Sequence, residues 1–316
     1  MSFDLTHARH DPACCLAPGL FRSLKRGERK KQKLDITYNH GMDTIRYWGP
    51  EPLGALEMRV MQGLVAMAAV SGDSGRGIML CSGTESKTGQ ALRRSLDLRW
   101  ESQAEDAMVV QCSFRQLARE VGADEGGSQI KFIRGCLERL YAVTIIVESD
   151  GKRHGFRMLS KYSSDVNTEK LCVALNPRLA QAIMGERPYT RISMDEVRQL
   201  RTDPASLIHQ RLCGWIDPGK TGRATLDTLC GYVWPDDATP EAMKKRRQSA
   251  RRALAEIAML SGWVVSEYSS GKFAVKRPEI AMTAAQRSPK RGITFPAARH
   301  NVPQSSPQNA AAVQLF

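Results

Sequence analysis

The chain has 316 residues, with 46 Lys and Arg against 33 Asp and Glu, a formal net charge of +13. That length holds two domains, each with its own core, and the basic balance favours a polyanionic partner. No apolar run spans a membrane, the N-terminus lacks the apolar core of a secretory signal, and the eight cysteines include no CxxC pair. The expectation is a cytoplasmic chain with reduced thiols and neither cofactor nor metal.

Residues 1–33 read as a basic, partly ordered N-terminal arm. Arg22, Lys25, Arg26, Arg29, Lys30, Lys31 and Lys33 crowd one stretch, either an electrostatic arm on phosphates or a solvated tail. Cys14-Cys15 reads as two incidental thiols. Residues 34–185 form the first expected domain. Residues 34–49 alternate around Asn39-His40-Gly41 and predict a β-hairpin. Pro52–Ala69 predicts a helix with Leu56, Val60, Leu64 and Met67 inward. Residues 71–106 are Gly-, Ser- and charge-rich, an expected irregular insertion. Ser113 caps a short helix through Gly122, and Ser128 caps a second through about Ala142. Strands over 143–148 and 156–160 follow, joined by 150–155. Leu171–Leu175 predicts a strand, and Pro177–Met184 a helix after an Asn-Pro break.

The second expected domain is 186–280. Met194–Arg201 and Pro204–Ile216 predict helices. Thr225–Trp234 is a short helix, Pro235–Thr239 a turn, and Pro240–Ser261 a long basic helix opened by Thr239 as N-cap and Pro240 at N1. Two strands around Ser269-Ser270-Gly271-Lys272 complete the outline of a winged helix-turn-helix, whose second helix is shaped for the major groove. Residues 281–316, rich in Ala, Pro, Gln and Ser, read as a disordered tail.

At about 100° per residue, Met243, Ala250, Leu254 and Ile257 share one face of the long helix. Lys244, Lys245, Gln248, Ser249 and Arg252 lie opposite, mostly in the half that meets base edges in a helix-turn-helix. The other reading of that face is a solvated basic surface with no ligand.

The upstream elements repeat this unit. Leu117 matches Leu229. Leu137, Leu140, Val143 and Gly151 match Ile257, Leu260, Trp263 and Gly271 at one constant spacing, a few residues longer, the excess being expected in the turn between the helices. Ile130, Ile133, Leu137 and Leu140 form the apolar face, with Lys131, Arg134 and Gly135 outward. The fold class expected is therefore α+β: two tandem winged-helix domains, each a helix-turn-helix plus β-hairpin, with flexible N- and C-terminal tails. Winged domains also serve as protein-interaction modules without DNA.

No enzyme is indicated. The stretches Gly72–Gly77 and Gly83–Gly89 miss the phosphate-loop pattern GxxxxGK[ST], the six histidines form no HxH metal motif, and the carboxylates are scattered. His209, mid-helix near Arg211, reads as a packing or hydrogen-bonding residue.

Five stretches carry a family resemblance: His10–Lys31 (HDPACCLAPGLFRSLKRGERKK), Gly49–Ala55 (GPEPLGA), Gln62–Ala68 (QGLVAMA), Arg191–Arg198 (RISMDEVR) and above all His209–Pro235 (HQRLCGWIDPGKTGRATLDTLCGYVWP). They resemble the RepC-type iteron-binding replication initiators of IncQ broad-host-range plasmids, roughly over residues 7–278, with a weaker match in 70–90. The resemblance implies a non-enzymatic initiator that binds direct repeats at a plasmid origin, opens adjacent AT-rich DNA, and works with a plasmid-encoded helicase and primase. It also implies two winged-helix domains. A homodimer off DNA is a further expected partner state.

The expected DNA-binding residues are Lys244, Lys245, Gln248, Arg251 and Arg252 in the second domain and Lys131 and Arg134 in the first. Arg or Lys pairs with guanine and Gln with adenine in the major groove. Wing residues Lys152, Arg153 and Lys272 would meet phosphate or the minor groove. Lys220 and Arg223 either clamp a phosphate or belong to a plain turn. The rival reading is a winged-helix transcriptional repressor or a protein-interaction module.

Overall fold

A computed structural model of the chain describes residues 7–25, 27–29, 32–69, 77–80, 90, 107–165 and 169–279. They fold as mixed α+β, with four antiparallel sheets around a helical core. The tail 281–316 and most of the stretch 71–106 lie outside the described residues.

The N-terminal stretch is not an arm over residues 7–21. Strand β1 (His7–His10) pairs with β10 (Thr190–Ser193). Helix α1 (Pro12–Leu16) starts where the Asp11 side chain accepts from Ala13 N. Cys14, Cys15, Leu20 and Phe21 are buried. A short apolar run sits among the basic residues, and the charge of the stretch as a whole masked it.

The next helix, α2 (Ala55–Ala69), is buried on nearly every side. Apart from Glu57, Arg59 and Gln62 it is apolar round its circumference, the mark of a core helix rather than an amphipathic surface one. Leu56, expected inward, is only partly buried. One carboxylate is buried with the helix: Glu57 accepts from Gly54 N and pairs with Arg29 at 3.0 Å and Arg139 at 2.6 Å. Burial pushes this carboxyl up, but Arg29 and Arg139 outweigh it and hold it below its ordinary value.

The hairpin β2 (Leu34–His40) and β3 (Asp43–Gly49) forms as expected. It extends through β6 (Thr144–Ser149) and β7 (Lys152–Arg157) into one sheet of order β2-β3-β6-β7. A second sheet, missed except for β9, has the order β4-β5-β9-β8 and comprises β4 (Gly77–Leu80), β5 (Ala107–Ser113), β8 (Leu159–Ser164) and β9 (Lys170–Leu175). Between β5 and β6 lie α3 (Phe114–Glu120) and α4 (Gly127–Ala142). Ser113 and Gln116 close a full capping box on α3. Ser128 does not cap α4; Gly126 holds that position without a side-chain bond.

The chain continues through α5 (Pro177–Met184), α6 (Met194–Gln199) and α7 (Asp203–Trp215). Strand β11 (Thr221–Thr225), not expected, leads into α8 (Leu226–Val233). Then come α9 (Pro240–Ala258) and the hairpin β12 (Val264–Ser269) and β13 (Lys272–Lys276). Thr239 caps α9 with Pro240 at its first turn, as the sequence marks. The third sheet has the order β11-β13-β12.

The two copies agree where they were aligned. Leu117 and Leu229 are buried, as are Leu137 with Ile257, Leu140 with Leu260 and Val143 with Trp263. Gly151 and Gly271 both turn their hairpins at positive φ, 71° and 70°. The extra residues of the second copy are not in the inter-helix turn, since 121–126 and 234–239 are equally long. They all precede Ile257: α8 has eight residues against seven in α3, and α9 begins seventeen residues before Ile257 where α4 begins ten before Leu137. The copies also differ in pairing: β13 pairs with the strand before its short helix, whereas β6 pairs with β3.

Contacts tie early and late segments into one body. Gln62 on α2 donates to Gln210 on α7 at 2.6 Å, both buried. Arg22 pairs with Asp236 at 3.0 Å, and Ser23 N donates to Val233 O. Arg277 is buried and donates to Cys213 O and Ile216 O, taking up carbonyls at the end of α7.

Candidate nucleic-acid interface

Helix α9 stands on its apolar face. Ala250, Ala253, Leu254 and Ile257 are buried, and Met243 is half-buried. Its cations then fall into two groups. Arg246 donates to Asp236 O at 2.6 Å, Arg247 pairs with Asp227 of α8 at 2.6 Å, and Arg251 pairs with Glu267 of β12 at 2.5 Å. Arg251 also lies over the Phe273 ring. These three brace the helix against its turn, α8 and the hairpin.

The other group is Lys244, Lys245, Gln248 and Arg252. All four are exposed, and among the described residues their side chains have no ion-pair or hydrogen-bond partner. The donors are therefore available to a ligand, with no internal partner to give up. Arg251, expected beside them, is held by the hairpin instead.

Helix α4 presents less charge. Lys131 is exposed and unpartnered. Arg134, expected to point outward, is half-buried. Its guanidinium lies 5.0 Å over the Phe114 ring, and its Nε is buried without a partner. Stacking on the aromatic of α3 outcompetes solvent for that side chain. One residue of this face was missed: Phe132, 61% exposed. The signal was its place off the stripe of Ile130, Ile133 and Leu137.

The hairpin β6–β7, expected as a wing, is tighter than the sequence suggests. Its turn is only Asp150-Gly151, both at positive φ, which joins β6 and β7 directly. Lys152 and Arg153 are therefore strand residues, exposed opposite Ser149 and Glu148. In the second unit, Lys272 is exposed at the start of β13. Lys220 is exposed beside a turn closed by its own N–H to Asp217 O. Arg223 belongs to β11, with its guanidinium 5.4 Å from the Tyr268 ring centroid of β12.

A separate cluster joins α6 to α7. Glu196 Oε2 lies 2.7 Å from His209 Nε2, and Cys213 Sγ lies 3.6 Å from the same nitrogen. Carboxylate, imidazole and thiol are zinc-ligand types, and these atoms lie within 4.8 Å of one another. The direct hydrogen bond leaves the arrangement reading as a buried ion pair. Burial works against the imidazolium, but Cys213 and Glu196 raise His209 to about 10. His209 thus packs and pairs, as its sequence position predicts.

Helix, turn, longer cationic helix and hairpin in a mixed α+β body define the class. Within it, the chain belongs to the replication protein C (RepC) family, whose model matches residues 2–279. No curated protein matches the sequence. Among solved structures, domains 2 and 3 of RctB share the fold, with a TM-score of 0.52 at 10% identity over 86% of this chain and 99% of that one. A second structure of RctB domains 2–3 has a TM-score of 0.49 at 10% identity, over 84% and 96%. The Pi initiator protein in complex with iteron DNA has 0.45 at 14% identity, over 72% and 92%. Among the described residues, no helix is long and apolar enough to cross a membrane.

Proposed function

We propose that the chain is a non-enzymatic, cytoplasmic plasmid replication initiator of the IncQ type that binds direct repeats, iterons, at its origin. Two winged-helix units, roughly 34–185 and 186–280, each place one helix in the major groove: α4 in the first, α9 in the second. Lys244, Lys245, Gln248 and Arg252 read or clamp DNA from α9, and Lys131 from α4. Lys152, Arg153 and Lys272 approach the backbone from the hairpins, with Lys220 and Arg223 at a further phosphate. Arg251 and Arg134 position their surroundings. Bending of tandem repeats strains the adjacent AT-rich DNA, and a plasmid-encoded helicase and primase take over the opened strand. Off DNA the chain is a homodimer.

The observation that carries this reading is the unpartnered basic face of α9 in a member of a replication-protein family. A protein that folded around that face for stability alone would pair its charges, as Arg247 and Arg251 are paired. Footprinting the intact chain on the origin of its own replicon tests the reading. Evenly spaced protection of a tandem array supports it. Protection of a single palindrome at a promoter supports the rival, a winged-helix repressor, and no protection supports a protein-interaction module.

A further inference from the structure

Phe132 is 61% exposed on α4, while Ile133, Leu137 and Leu140 of the same helix are buried. A lone exposed aromatic is ordinary on a protein surface. Three placements set this one apart.

Its neighbour Lys131 is exposed and unpartnered among the described residues. One turn further, Gly135 lies near the middle of the same outward face. A Cβ there would stand 3.1 Å from the guanidinium of Arg139, which the buried Glu57 anchors at 2.6 Å. Packing within the protein therefore favours the glycine, and no side chain rises at that position beside Phe132. Finally, the spacing that superposes Leu137 on Ile257 and Gly151 on Gly271 places Phe132 where α9 carries Arg252, also exposed and unpartnered.

We propose that Phe132 is a specificity-determining residue that packs against thymine C5-methyl groups in the major groove, so that α4 reads thymine where α9, through Arg252, reads guanine. This rests on the reading in which α4 enters the groove. The thymine methyl is the apolar feature of the major-groove floor, and an exposed ring beside a cation and a glycine matches it. A guanidinium at the equivalent place pairs instead with guanine O6 and N7. The two units thereby impose different bases on the two parts of one repeat.

The test uses the intact chain and two duplexes of the origin repeat at fixed salt. One is natural; in the other every thymine is replaced by deoxyuridine, which keeps pairing and removes only the methyl. Wild type loses about fourfold in affinity for each methyl that Phe132 covers. Phe132→Ala is weakened by the same factor on the natural duplex, its loss on uridine DNA shrinks by that factor, and Phe132→Leu recovers part of the affinity. Wild-type affinity for Phe132→Ala, or wild-type sensitivity to uridine in that variant, overturns the proposal. Lys131→Ala separates the causes. If it weakens binding while Phe132→Ala does not, only the methyl contact is wrong. If neither variant changes binding to either duplex, α4 is outside the groove and the two-helix reading fails with it.

Discussion

Arg251 on α9 and Glu267 on β12 form an ion pair of 2.5 Å, and Glu267 also accepts from Gly271 N at the tip of the hairpin. The pair fastens the hairpin to α9 one residue before Arg252, which has no such tie. Adjacent arginines therefore have different work. Arg252→Ala is expected to cost about 1–3 kcal/mol on the specific site and much less on random DNA. Arg251→Ala and Glu267→Ala are expected to behave alike, weakening both kinds of DNA as the wing loosens. Tighter binding by Glu267→Ala would show that Arg251 itself contacts DNA once freed.

The wing of the first unit gives a salt-dependent signature. Lys152 is exposed on β7 beside a two-residue turn, and the proposed docking brings it to the DNA backbone and not to base edges. Lys152→Ala should weaken specific and non-specific binding alike. It should also reduce the log-log salt slope by about 0.9, the value for one phosphate contact. An unchanged slope would make Lys152 a solvated strand residue.

The Glu196–His209 pair predicts a pH dependence of stability. His209 is raised from 6.5 to about 10 in the fold. Its contribution is therefore fully present below the unfolded value and lost as pH rises through the folded one. Between pH 6.5 and 8.5 the unfolded chain has already shed this proton while the folded chain keeps it, so stability falls. His209→Gln should flatten that part of the profile in thermal melts. Equal slopes for the variant and wild type would place the charge elsewhere.

Most elements with their own periodicity or caps were legible in the sequence. Thr239-Pro240 announced α9, Ser113 announced α3, and the apolar spacing shared by Leu137 and Ile257 announced buried positions on both long helices. What failed to show was long-range pairing. β1 and β10 are four residues each and mean nothing until they meet across the whole first unit. β11 was hidden in a stretch that reads as a turn, because Thr221–Thr225 has small and polar residues and only Ala224 inward. The candidate site was legible as charge but not as pairing. Nothing local distinguishes Arg251, whose partner Glu267 lies on the hairpin, from Arg252, or reveals that Arg134 stacks on Phe114.

Those long-range pairings also decide how the need for both helices is tested. Cutting near residue 185 would separate β1 from β10 and Gln62 from Gln210, so isolated fragments are poor probes. The direct measurement is a footprint of the intact chain on one origin repeat, with two surface variants. One carries Lys131→Ala and Phe132→Ala on α4; the other carries Lys244→Ala, Lys245→Ala and Arg252→Ala on α9. Two reading helices in one repeat predict that each variant loses protection over a different part of that repeat, and that each binds at least tenfold more weakly than wild type, the loss expected when about 1.4 kcal/mol of contact is removed. Loss of the same part by both variants, or undiminished affinity in either one, would contradict it.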